Sequence, residues 1–114
     1  MGKDRRSQFH ERLSTVGFGP REAIEVILGS IVHDVREQAL HNRFEEGEMD
    51  GVITFHDAAE HLWLDTMATD PPLAAADLRA RLQTLLEQCT GVLGQFHAKL
   101  ERSLRNAQEL EKQS

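Results

Sequence analysis

The stretch from Leu78 to Ala107, LRARLQTLLEQCTGVLGQFHAKLERSLRNA, decides how this chain is read. Leu78, Leu82, Leu85, Cys89, Val92, Phe96, Leu100, Leu104 and Ala107 follow one another at steps of three and four, so on a helix they share one face. From Leu78 to Phe96 the steps alternate as in a heptad seam; two consecutive steps of four then make a stutter. Gly91 and Gly94 lie off this stripe, each costing a helix about 1 kcal/mol relative to alanine. Asp70-Pro71-Pro72 ahead of the stretch reads as an N-cap followed by proline. The pattern therefore predicts one long helix from Leu73 to Glu111, continuous through both glycines and close to 60 Å long at about 1.5 Å per residue.

Two further helices are predicted upstream. Pro20 suits a first helical position, where its missing N–H costs nothing. From there to Glu46, Ile24, Leu28, Ile31, Val35 and Ala39 share one face, and Val26, His33, Leu40 and Phe44 form a second ridge almost opposite. Such a helix would be about 40 Å long and sandwiched between two neighbours. Gly47-Glu48-Met49-Asp50-Gly51 reads as a break. Thr54 then reads as the N-cap of a short helix, Phe55 to Met67, with Asp57 in the capping-box position. Its inner face is Phe55, Ala58, Ala59 and Leu62, with Trp63 at the edge. Residues 1–19 read as a flexible arm anchored by Leu13, Val16 and Phe18, with room for a short helix near residues 8–13. The fold class is all-α: a small antiparallel bundle of two long helices and one short one, in a single domain spanning residues 20–114.

Composition excludes several occupations. The chain has 114 residues, a size for one domain. Its formal charge is −6, from 13 basic and 19 acidic side chains, and the basic residues are scattered. Nucleic-acid binding has no electrostatic drive. No apolar run approaches the roughly 18 residues of a membrane span, and Lys3, Arg5 and Arg6 precede no apolar stretch of a secretory signal. One cysteine, Cys89, forms no intramolecular disulfide and no Cys-x-x-Cys site, which points to a cytoplasmic protein. Its place on the stripe is that of a small buried hydrophobe. Serine-hydrolase, Walker and dinucleotide patterns are absent.

Two cation readings come from the residues. Glu46, Glu48, Asp50, Thr54 and Asp57 fall at positions 1, 3, 5, 9 and 12 of a 12-residue loop with Gly51 at 6. The segment 46–57 resembles an EF-hand calcium loop, although Glu46 replaces the usual Asp and Asp57 the bidentate Glu. The resemblance implies weak Ca²⁺ or Mg²⁺ as the cofactor. His33, Glu37 and His41, and separately His56 with Glu60, stand at i, i+4 spacing and form a ladder of possible ligands. Such pairs resemble those of di-iron bundles, but the four-helix ligand set of that family is missing. Otherwise no cofactor is expected.

The expected function is non-enzymatic. A 60 Å helix overhangs a 40 Å one, and its stripe continues to Leu104 and Leu110 with little left to cover it. Apolar surface contributes about 25 cal/mol per Å² when buried, so a second copy is the expected cover. The expected interface is Leu86, Leu93, Phe96, Leu100, Leu104 and Leu110, with Val26, Leu40 and Phe44 on the first helix. The partners are the chain itself, as a homodimer, or a helical segment of another protein. The acidic run from Asp34 to Asp65, nine carboxylates against two arginines, could face a basic partner. In outline such a protein is similar to bacterial export chaperones, which implies an adaptor, chaperone or regulator.

Overall fold

A computed structural model describes residues 19–113, and the expected flexible arm lies outside the described residues save for Gly19. It is all-α, with no strand among the described residues. The helices are α1 (Pro20–Leu40), α2 (Met49–Met67), α3 (Ala75–Glu87) and α4 (His97–Gln113). Short 3₁₀ turns at Glu46–Glu48 and Gly91–Phe96 precede α2 and α4.

The single long C-terminal helix is corrected. The stretch that looked continuous divides at Gln88–Thr90 and reverses direction. Gly91 takes a φ of +57°, in the left-handed region that a side chain disfavours and glycine adopts freely. Thr90 before it is extended, and the 3₁₀ turn then delivers the chain into α4. Arg79 near the start of α3 is bonded to Glu111 at the end of α4, with Nε to Oε1 at 2.6 Å. The two halves of the stripe therefore face one another and the core, as in a hairpin. A turn that preserves the phase of a heptad stripe leaves no trace in apolar spacing, which is why periodicity alone predicted a rod. The expected two long helices and one short one become four, of 21, 19, 13 and 17 residues.

α1 starts at Pro20 as expected, with Gly19 as N-cap. It ends at Leu40, six residues before the predicted Glu46. The reason is a Schellman closure. Asn42 takes φ +54°, its N–H donates to Ala39 O, and the Arg43 N–H donates to Gln38 O at 2.8 Å. Phe44 lies beyond this turn and is buried in the core rather than on a ridge of α1.

α2 begins at Met49, five residues before the predicted cap. The Glu45 N–H donates to Glu48 Oε1 in a capping box that opens the 3₁₀ turn. Thr54 sits inside α2, its hydroxyl donating to Asp50 O at 2.9 Å. α3 starts at Ala75, two residues after the predicted Leu73, and its N-cap is Ala74 rather than Asp70. A residue before proline is steered out of the helical region, so Asp70 and Pro71 do not lead straight into the helix as an N-cap and first turn.

One core runs through all four helices. Phe55 and Phe96 stack with ring centroids 5.7 Å apart, joining α2 to the second 3₁₀ turn. Ile24, Leu28, Ile31, Leu62, Leu78 and Leu100 are fully buried. Gly29 on α1 lies against Trp63 on α2. A Cβ there would stand 3.0 Å from Cζ2 of Trp63, so the missing side chain makes room for the indole. Polar links fix the neighbours. Lys99 Nζ donates to Ser30 Oγ at 2.7 Å and to Asp34 Oδ2 at 3.1 Å, tying α4 to α1. Arg81 Nη1 donates to Asp65 Oδ2 at 2.8 Å, tying α3 to α2.

Candidate interaction face

Most of the expected interface is covered by the chain itself. Leu93, Phe96, Leu100 and Phe44 are buried, and Leu86, Leu104 and Leu110 pack half-buried against the same core. Hairpin formation is the physical reason: α3 shelters the α4 stripe that a straight rod would have left open. Val26 and Leu40 are the two expected interface residues that stay open.

The surface apolar groups collect elsewhere. Among the described residues the exposed large hydrophobic side chains are Leu40 (74% exposed), Val26 (55%), Leu64 (52%), Ile53 (49%) and Met67 (40%). All five belong to α1 and α2. Helical phase explains the arrangement. On α1, Val26, His33 and Leu40 recur every seven residues on the side opposite the buried Ile24, Leu28 and Val35. On α2, Ile53, Leu64 and Met67 lie opposite Phe55, Leu62 and Thr66. The Gly29–Trp63 contact and the Arg36–His56 bond set the helices antiparallel, so the five residues fall into two patches. Leu40 and Ile53 are at one end; Val26, Leu64 and Met67 are at the other.

Between the patches sits a polar knot. The Arg36 Nε–H donates to His56 Nε2 at 2.9 Å, and the same guanidinium is paired with the Glu60 carboxylate. Since Nε2 accepts, the proton of a neutral His56 lies on Nδ1, which donates to Asp57 Oδ1 at 3.1 Å. His56, Asp57 and Glu60 bring one ligand atom each within 4.8 Å of one another, the one such group among the described residues. Arg36 is bonded to both His56 and Glu60 of this group, and its positive charge opposes a cation there. Beside the knot an apolar groove of about 160 Å³ runs between α1 and α2, lined by Val35, Ala39, Met49, Val52 and Ile53, with Arg36 and His56 at its polar edge.

The EF-hand-like segment has a different geometry. Residues 49–57 belong to α2, so Asp50, Thr54 and Asp57 are spread along a helix rather than gathered in a loop. Glu46 is exposed in the 3₁₀ turn, and the Glu48 carboxylate is spent on the capping box. Of the other ladder, Glu37 lies 3.8 Å from His41 while His33 stands exposed one turn away. Cys89 is buried, its Sγ–H directed at Leu85 O at 3.5 Å, and burial pushes its thiol up to about 11. Such a thiol is no nucleophile at neutral pH.

Sequence reasoning missed Ile53, Leu64 and Met67. Ile53 falls inside the segment 46–57 that resembles a calcium loop, and Leu64 and Met67 lie off the inner face read for the short helix. Extending α2 back to Met49 would have shown a second apolar line at 53, 64 and 67. No helix among the described residues is long and apolar enough to cross a membrane. No family model, no curated protein and no solved structure matches this chain.

Proposed function

We propose that this is a non-enzymatic, cytoplasmic interaction module of the adaptor or export-chaperone kind, which docks a helix on the outer face of α1 and α2. The observation behind this reading is the segregation of all five exposed large apolar side chains to that helical pair. The groove beside Ile53 offers a seat for an apolar side chain at helical spacing, and the Arg36–His56–Glu60 knot offers polar contacts next to it. A second copy of the chain is the first partner to test, now through Leu40 and Ile53 rather than through the C-terminal helix.

Sedimentation of the intact chain over a hundredfold concentration range tests it. Association at the upper end is expected, abolished by Leu40→Glu with Ile53→Glu and retained by Arg105→Glu on exposed α4 surface. A monomer at every concentration contradicts the self-associating form. The rival reading, a divalent-cation protein, is supported by the His56–Asp57–Glu60 group and opposed by Arg36. A concentration-dependent rise in melting temperature with Zn²⁺, Mg²⁺ or Ca²⁺ would favour it.

A further inference from the structure

The patch at Leu40 and Ile53 holds both halves of a contact. Leu40, 74% exposed, is a knob. Beside it the groove between α1 and α2 is a hole of about 160 Å³, walled by Val35, Ala39, Val52 and Ile53. A cavity of about 150 Å³ holds one benzene, so the groove takes a single aliphatic side chain. Ala39 lines the hole and its neighbour in sequence is the knob, so the two share one surface. The charges divide in the same way. Arg36 and Glu37 lie one turn before Leu40, and the side chains of both are more than half exposed. Arg36 stands at the edge of the hole. It binds His56 and Glu60 through Nε and Nη2, which leaves Nη1 for a further carboxylate. Glu37 has His41, 3.8 Å away, as its partner on the same chain.

In a two-fold interface residue i of one copy meets residue j of the other and j meets i, so a single patch must carry knob, hole and opposite charges together. We infer that two copies dock in this way, with Leu40 of each seated in the groove of the other and Glu37 of each paired with the other's Arg36. A foreign helix needs the hole alone; the knob beside it and the exposed pair of opposite charges favour a second copy. The formal charge of −6 repels a second copy at long range, and the two crossed Arg36–Glu37 pairs oppose that repulsion at the contact. The inference rests on the proposed function, whose partner and seating it specifies.

Exchanging the charges in the full chain tests it by sedimentation. Arg36→Glu alone sets carboxylate against carboxylate at both contacts, and Glu37→Arg alone sets guanidinium against guanidinium. Each should weaken self-association about tenfold or more. An equimolar mixture of the two variants restores opposite charges at both contacts, so association should return as a heterodimer. Melting curves check that each variant folds. A second measurement is independent of Arg36. Under mild oxidation Leu40→Cys mixed with Ile53→Cys should form a disulfide between the two variants, with Cys89 buried and out of reach. Wild-type association with neither rescue nor this mixed disulfide overturns the seating and leaves the proposed function standing. A disulfide formed only between two Leu40→Cys chains overturns the seating likewise. A wild type that stays monomeric at every concentration overturns the seating and the self-associating reading together.

Discussion

The α1–α2 pair and the α3–α4 pair solve the same problem in opposite ways. α3 and α4 carry one apolar stripe each, and the turn at Gly91 closes the two stripes on one another and on the core. Among the described residues no large hydrophobic side chain stays exposed on that pair. α1 and α2 also bury one stripe each, but a second apolar line runs along their outer surface and is interrupted by an ion-paired knot. The lesson is that apolar content does not locate a binding surface. Surface left available is the apolar content that remains after the chain has satisfied its own core.

The sharpest way to break this contrast is one substitution made on both pairs. Leu100→Ala empties a fully buried site on α4 and should cost about 2–5 kcal/mol in a denaturant titration. Leu40→Ala, on the outer line of α1, should stay within about 0.5 kcal/mol. Similar losses at both would mean that the outer line is already covered.

Gly91→Ala separates the hairpin from the rod by its sign. In a continuous helix alanine would stabilise by about 1 kcal/mol, whereas at φ +57° it should destabilise by about 1–2 kcal/mol. Thermal melts of the single variant decide it. Ser103, fully buried on α4, has an Oγ with no hydrogen-bond partner, so Ser103→Ala should raise stability by about 1 kcal/mol in the same assay.

Cys89 sharpens the picture of a closed hairpin joint. Its folded thiol is raised from 9.0 to about 11 by burial, so between those values the unfolded chain releases a proton that the folded chain keeps. Stability should therefore be unaffected by this group below pH 9 and fall as pH rises toward 11. A thiol reagent at pH 8 should react at the rate of unfolding. Rapid reaction of the folded protein would show the joint to be open.

Much of this was legible in the residues, and the failures have identifiable causes. The all-α class and the inward face of each helix follow from spacing, and the start of α1 at Pro20 from the fit of proline to a first helical position. The end of α1 was misjudged because the closing signal is Asn42, a non-glycine residue in the left-handed region, while Phe44 mimics the helical pattern. The start of α2 was misjudged because Gly47 and Gly51 look like breakers, although neither would meet a neighbour if given a Cβ and the second is tolerated in the first turn of the helix. The site was half legible. Val26 and Leu40 stood out as a second ridge, but their companions on α2 came into view only once that helix had its full length. Leu93, Phe96 and Leu100, expected at an interface along a rod, are buried in the chain's own core once the rod becomes a hairpin.

The distance between residues 79 and 111 tests the account most directly. Nitroxides on Arg79→Cys and Glu111→Cys, measured by pulsed dipolar spectroscopy in the full chain, report whether the C-terminal stretch reverses. The hairpin places these side chains within reach of an ion pair, so a distribution centred below about 20 Å is expected after allowing for the label arms. An uninterrupted helix would separate them by about 48 Å, from 32 residues at 1.5 Å each, and that result would return the apolar stripe to the surface and the interface to α4.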